Sequence, residues 1–273
     1  MLPHHQLLPE AQELNASTVP PLVSVISPIF NAKRWLPGLI ETTRVQSLAR
    51  FEHVLVDDGS TDDGMQLAEQ LVRDDPRYRL LRAPQNMGPA AARNLGLQHA
   101  RGRFVAFLDA DDLWLPNKLE AQVQFMLQNG HAFTFHDYRF ISENGDRVGK
   151  LVESPDLLDV RTLHIRRGVG CLAVMVDREK LPDFKFPAVD RALPEDHYAW
   201  FTILKSGEFG HRLNMDLARY RVFQGSRSGN KLRAAAVMWQ MFRHVEGLPI
   251  PTVWYWFARY AWTAYRMHRY ARP

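Results

Sequence analysis

The sequence predicts an α/β protein: a doubly wound, mostly parallel sheet with helices on both faces, followed by a helical segment rich in aromatic and basic residues. Three observations carry this reading. Four apolar, β-branched runs in the first 112 residues alternate with stretches of helical period, the pattern of successive βα units. Two acidic clusters, Asp57-Asp58 and Asp109 to Asp112, fall at the ends of the second and fourth runs, and open parallel sheets bind ligands at such carboxyl ends. Finally, residues 251–273 place eight aromatic residues between Trp254 and Tyr270 and four arginines between Arg259 and Arg272.

The elements follow in order. VSVISPIF (23–30) reads as a strand, and Trp35, Leu36, Leu39 and Ile40 then recur at helical spacing, with Pro37 tolerable near the first turn. HVLVDDGS (53–60) is a buried strand ending in a turn, after which Ser60 or Thr61 can cap a helix carrying Met65, Leu67, Ala68 and Leu71. YRLLRAP (78–84) is a short strand leading into NMGPAAARNLGLQHA, where Pro89 suits the first helical position. RFVAFLDADD (103–112) gives the fourth strand. Farther on, HAFTFHDYRFIS with ENGDRV reads as a strand and hairpin turning at Asn144-Gly145, and GVGCLAVMV (168–176) as another buried strand. Pro194-Glu195-Asp196 opens a helix with Tyr198, Phe201, Ile203 and Leu204, its acidic start at the positive helix end.

Length and composition allow one sizeable core, or a core plus a small appendage: 273 residues, 46% hydrophobic and 23% charged. The expected division is a leader over 1–20, a catalytic domain over 21–225 with halves 21–115 and 116–225, and a C-terminal extension over 226–273. The first 20 residues lack the basic start and apolar run of a secretory signal, and no stretch of about 20 uncharged apolar residues occurs, so a cytoplasmic location is expected. A single cysteine, Cys171, excludes an internal disulfide and sits in an apolar run as a buried thiol. The net charge of +4 is uneven, because residues 211–273 carry 11 Lys and Arg against only Asp216 and Glu246. No nucleic-acid-binding motif accompanies that charge.

If both acidic clusters line one crevice, Asp57, Asp58, Asp109, Asp111 and Asp112 repel one another unless a cation or donor groups compensate. Hard oxygen ligands in this number favour Mg2+ or Mn2+, whose shell a substrate phosphate can complete. The structural alternative makes Asp57 to Asp63 a turn and cap, and Asp112 the cap of the next helix.

Five segments resemble, in order, the family 2 glycosyltransferases of the nucleotide-sugar-dependent GT-A type: SPIFN (27–31), VDDGSTD (56–62), NMGPAAARN (86–94), LDADD (108–112) and PEDHYAW (194–200). The resemblance implies a Rossmann-like GT-A fold and an inverting, metal-dependent transfer from a nucleoside diphosphate sugar, with uridine the expected base. Asp58 would hold the base beside a wall of Pro28, Phe30 and Asn31. Asp109 would meet the ribose hydroxyls and, with Asp111 across Ala110, the divalent cation. Arg93 would add charge near the diphosphate or pair with a strand-end aspartate. Asp196 would be the general base, with Glu195 orienting or replacing it. The expected acceptor is a glycan, lipid-linked, in O-antigen, capsule or similar polysaccharide assembly.

One departure stands out. Relatives often carry a histidine in a stretch like YR-x-H after the catalytic helix, where this chain has Phe223, so metal affinity would be weaker or His211 or another group would substitute. Arg221, Ser226 and Ser228 are further candidates for diphosphate contact. The C-terminal helix suits an anionic membrane surface, the alternatives being packing on the catalytic domain or a homodimer contact. Two other function classes stay open: an aspartate-dependent phosphotransferase or phosphatase, and a nucleotide- or carbohydrate-binding protein without catalysis.

Overall fold

The computed structural model describes residues 20–165, 169–188, 194–223, 236 and 238–271, with backbone alone for 244–245 and 263–271. The expected leader therefore lies almost wholly outside the described residues, as do Ser226, Ser228 and Arg272.

The first half forms as its hydrophobic pattern dictates. Strands β1 (Val23–Ile29), β2 (Phe51–Asp57), β3 (Tyr78–Arg82) and β4 (Phe104–Phe107) alternate with helices α1 (Leu36–Arg44), α2 (Gly64–Val72) and α3 (Pro89–His99). Pro37 lies in the first turn of α1, and Pro89 opens α3 behind Gly88. Every residue of β2 and β4 is buried, as in strands covered on both faces. The strands pair in parallel, with Val23 beside both Phe51 and Phe104. Chain order runs from β1 outward to β2 and β3, then α3 carries the chain back to place β4 on the other side of β1. Because such crossovers are right-handed, this reversal puts α1 and α2 on one face and α3 on the other. It also opens a crevice at the end of β1.

Helix α3 sits very close to the sheet. A Cβ at Gly96 would stand 2.5 Å from Ile26 Cγ2 and 3.3 Å from Val56 Cγ2, so glycine sets the distance between helix and sheet.

The second half extends the same sheet: β5 (Leu113–Trp114), α4 (Lys118–Asn129), β6 (Phe133–Ile141), β7 (Val148–Val152), β8 (Leu157–Leu158), α5 (Val160–Ile165), β9 (Met175–Asp177), α6 (Glu195–Lys205) and β10 (Gly210–Arg221). The order is β3-β2-β1-β4-β9-β6-β10-β5, with β7 on β6 and β8 on β10. Strand β9 is antiparallel to β4 and β6, while β10 runs parallel to β6. The expected hairpin turns through Gly145, whose φ of 76° lies in the left-handed region. An aromatic cluster seats α6 on the sheet: Trp200 stacks 5.3 Å from Phe133, and Phe186 meets Phe107 edge-on at 5.0 Å.

Four local expectations are corrected. Strand β4 stops at Phe107, because the following residues turn so that Asp112 N–H reaches the Asp109 carbonyl. The run 168–176 is not one strand: Cys171–Ala173 form a 3-10 turn, and β9 begins at Met175. Neither Ser60 nor Thr61 caps α2, which starts behind Asp63, because both are engaged by the loop after β1. Asp112 does not cap α4, which starts behind Asn117.

Past β10, Met241–Val245 form a π-helical turn and α7 (Ile250–Ala271) follows. Val253 and Tyr260 bury themselves against Met238 and Phe242, with Trp256 and Phe257 alongside. Trp256 also meets His164 of α5 at 5.1 Å, so one face of α7 packs on the protein's own body. Among the described residues no helix is long and apolar enough to cross a membrane.

Candidate active site

A cleft of about 620 Å³ opens at the reversal point of the sheet. The loops after β1, β2, β3 and β4 make it together with the start of α6 and the end of β10, and side-chain hydrogen bonds tie neighbouring loops together.

The loop after β1 carries Pro28, Phe30 and Asn31. Asn31 has φ 49°, a conformation that asparagine tolerates better than most residues. Its Oδ1 accepts from Thr61 N–H at 2.8 Å and from the Thr61 hydroxyl at 3.2 Å, while its own N–H donates to Ser60 Oγ. The loop after β2 is closed by Asp57, which accepts from Ser60 N–H at 2.9 Å. Gly59 is forced: its φ is +76°, and a Cβ there would lie 2.7 Å from Asn86 N. The Asp58 carboxylate accepts from the N–H groups of Met87 (2.7 Å) and Gly88 (2.8 Å), pinning the loop before α3. The strand-end carboxylates therefore separate. Asp58, Asp109, Asp111 and Asp112 line the cleft, whereas Asp57 is spent inside its turn and corrects the expectation of five.

After β4, each of the three aspartates takes a different environment. Asp109 pairs with Arg93 at 2.5 Å. Asp111 is pushed up to about 6, first by burial and then by Asp109. Asp112 accepts the Arg221 N–H at 2.9 Å, and burial raises its carboxyl well above the usual range. Arg93 is only 3% exposed and joins two elements far apart in sequence, because its other nitrogen reaches Glu195 of α6 at 3.0 Å. Its guanidinium also lies 5.3 Å from the Phe186 ring. Of the two roles expected for Arg93, the ion pair with a strand-end aspartate is present, and a second carboxylate shares it.

Glu195 lines the cleft; Asp196 sits beside it at the opening of α6, outside the lining itself. Asp196 Oδ1 accepts the N–H of His197 at 2.7 Å. Burial, then the Glu195 carboxylate, push Asp196 up to about 6. A carboxylate raised this far is a stronger base than an ordinary aspartate. The Cys171 thiol lies close enough to feel Arg93 and both of these carboxylates, and burial pushes it well up, which leaves it inert.

The opposite wall was not assembled from the sequence. Trp35 lies under two guanidinium groups, Arg34 at 4.1 Å and Arg221 at 4.7 Å, and Phe223 stands 5.6 Å from the same ring. The only signal in the sequence is the Arg34-Trp35 pair at the start of α1, where Trp35 reads as part of the helical stripe. Arg221 donates to the carbonyls of Asp111 (2.7 Å), Glu143 (2.6 Å) and Ser142 (3.3 Å), so it clamps the aspartate loop to the β6–β7 hairpin. Phe223 takes part in this wall at the position where a histidine was expected. His211 does not substitute for it: at the far end of β10 it stacks on His131 with ring centroids 3.7 Å apart.

A divalent cation fits the residues present. Asp111 and Asp109 offer hard oxygens to an open cleft, where a cation would offset the burial and the neighbouring Asp109 charge that together raise the Asp111 carboxyl. Among the described residues no three His, Cys, Asp or Glu side chains are grouped to hold a metal.

These features agree with what the chain resembles. Residues 24–176 match the model of the family described as glycosyl transferase family 2. TuaG of Bacillus subtilis, named for teichuronic acid biosynthesis, is 35% identical over 88% of this chain and 95% of its own length. WfgD of Escherichia coli, a UDP-Glc:alpha-D-GlcNAc-diphosphoundecaprenol beta-1,3-glucosyltransferase, is 36% identical over 86% of this chain and 90% of its own. Among solved structures, Staphylococcus aureus TarS in complex with UDP-GlcNAc aligns with a TM-score of 0.61 at 20% identity, over 88% of this chain and 71% of that one. The mannosyltransferase PcManGT of Pyrobaculum calidifontis, with GDP-Man and Mn2+, gives 0.65 at 17% identity, over 92% and 76%. At those identities the likeness is one of fold, a mixed α/β architecture with a mostly parallel central sheet. The family model covers more than half the chain, and the two bacterial relatives align along nearly their full length. With its strand-end aspartates gathered on one cleft, the chain belongs to glycosyl transferase family 2.

Proposed function

We propose that this protein is an inverting glycosyltransferase that moves a sugar from a nucleoside diphosphate sugar, with uridine the base, to a hydroxyl of a lipid-linked glycan. The reaction belongs to the assembly of a bacterial surface polysaccharide such as O-antigen or capsule, on the cytoplasmic side. The observation that carries it is the cleft itself: one opening at the sheet reversal brings Asp58, Asp109 and Asp111 together with the acidic first turn of α6. The UDP-glucose and diphosphoundecaprenol in the name of WfgD support the donor base and the lipid-linked acceptor.

The residues then divide the work. Asp58, already oriented by two backbone N–H groups, keeps lone pairs for the ring N–H of a base, beside Pro28 and Phe30. Asp109 is held by Arg93 and meets the ribose. Asp111 with Asp109 would hold Mn2+ or Mg2+, which when bound supplies positive charge against the leaving diphosphate. Asp196 takes the proton of the acceptor hydroxyl, whose oxygen attacks the anomeric carbon from the face opposite the diphosphate, so configuration inverts. The C–O bond to the sugar forms as the bond to the diphosphate breaks, and no protein nucleophile is required.

Calorimetry tests the donor half. UDP, GDP, dTDP and CMP are titrated with Mn2+ and with EDTA into the wild type and Asp111→Ala. Metal-dependent binding of one diphosphate, weakened in the variant, is expected; a folded protein that binds none of them overturns the proposal. Turnover that survives Asp196→Asn would remove that residue as the base, and a product of retained anomeric configuration would remove the single displacement.

A further inference from the structure

Helix α7 shows two unlike faces. Val253, Trp256, Phe257 and Tyr260 turn inward, whereas Ile250, Trp254 and Trp262 recur at intervals of four and eight residues on the outer side, together with Tyr255. Trp254 meets Trp239 edge-on at 4.6 Å along one side, yet it is 59% exposed, and Trp262 is 64% exposed, so both rings leave large apolar surface open to solvent. From Ile250 to Trp262 this stripe runs about 18 Å along the helix. Arg259 lies along its flank, its guanidinium 5.7 Å from the Tyr255 ring and its nitrogen donating to the Tyr255 hydroxyl at 3.0 Å. Arginines follow at 266, 269 and 272, and no Asp or Glu occurs from 247 to 273.

Such a face selects its partner by chemistry. Aromatic rings are favoured at the boundary between hydrocarbon and headgroups, and arginines beside them bind lipid phosphates. The inner face is fixed to the body through Trp256 and His164, so the stripe is presented on a rigid mount. We propose that the outer face of α7 is a membrane-docking surface that lies flat on an anionic lipid bilayer, its tryptophans at the headgroup boundary and Arg259 on the phosphates. This deepens the lipid-linked-acceptor reading and rests on it for its purpose, but the docking itself requires no turnover.

The test is co-sedimentation of the full chain with phosphatidylcholine vesicles, with and without about one third phosphatidylglycerol. Wild type, Trp254→Ser/Trp262→Ser and Arg259→Glu are compared at low and high salt, with sedimentation velocity run in parallel. The expected result is binding to the anionic vesicles that falls at least tenfold on neutral vesicles and in the double tryptophan variant, and that weakens with salt and in Arg259→Glu. Unchanged melting temperature and nucleotide binding in the variants show that the fold and the cleft are intact. A folded wild type that stays in the supernatant overturns the proposal, as does a double variant that binds like wild type. A dimer that the tryptophan changes dissociate also overturns it, because the face would then belong to a second copy. Docking that persists in a protein without transferase activity would sink the catalytic reading and leave this one standing.

Discussion

Replacing Asp196 by Asn should abolish turnover and at the same time stabilise the free protein. Burial, and then the neighbouring Glu195, oppose the charge of this carboxyl and push it up from its ordinary 3.8 to about 6. An acid whose value rises on folding destabilises the folded state once it is ionised. Stability is therefore lost as pH climbs from about 4 through about 6, and the loss is complete above. The difference of about two units corresponds to about 3 kcal/mol at pH 8, and water in the adjoining cleft reduces this to about 1–2 kcal/mol. For a chain of this size that is about 2–8 °C in melting temperature. Asparagine keeps the Oδ1 that accepts His197 N–H, so the substitution removes charge with little change of shape. Thermal melts of wild type and Asp196→Asn at pH 5 and pH 8 measure it: the gain should be clearly smaller at pH 5. A gain that is equal at both values, or a variant less stable at pH 8, would refute the argument. The same ionisation should appear in wild-type kcat/KM, flat above about pH 6 and falling tenfold for each unit below.

Three further outcomes follow from the geometry. Arg93→Ala leaves Asp109 and Glu195 without their shared cation, which should cost about 3–5 kcal/mol in urea unfolding; Arg93→Lys should recover only part, because an ammonium cannot fork between both carboxylates. Gly96→Ala forces a methyl to 2.5 Å from Ile26 Cγ2 and should lower stability by about 1–3 kcal/mol, read as a lower urea midpoint. Cys171 should be silent to a thiol reagent in native buffer and react fully after unfolding, since its thiol is buried and pushed well above its usual range.

How far the sequence reached depends on what each signal is made of. The strands β1 to β4 were legible because strands buried on both faces must be continuously apolar, and the reversal at β4 places their acidic ends together. Strand β10 was not legible. Its register with β6 shifts between Leu213 and Asp216 and again before Ala218, which breaks the alternation that marks a strand, and half its residues are charged or polar. The run 168–176 misled for the opposite reason, since uninterrupted apolar residues look the same in a 3-10 turn and in a strand. Within the site, residue type was readable and partner was not. Asp57, Asp58 and Asp112 all read in the sequence as aspartates at strand ends, yet one closes a turn, one pins a loop 29 residues away, and one accepts a hydrogen bond from 109 residues away. The Trp35 wall was missed because a tryptophan at helical spacing reads as core until its neighbours in space are known.

The hydrogen bond from Arg221 to Asp112, with the Arg221 side chain bridging to Asp111 and the hairpin, has a consequence for how the protein is made. The parallel β1–β4 half is complete once about the first 110 residues have left the ribosome. The loop that carries Asp109 to Asp112 is held by Arg93 from within that half, but its tie to the hairpin forms only when β10 arrives. That tie is thus a late product of synthesis. A chain released before β10 would have the parallel sheet but would lack the arginine that clamps this loop to the β6–β7 hairpin, and with it one wall of the cleft.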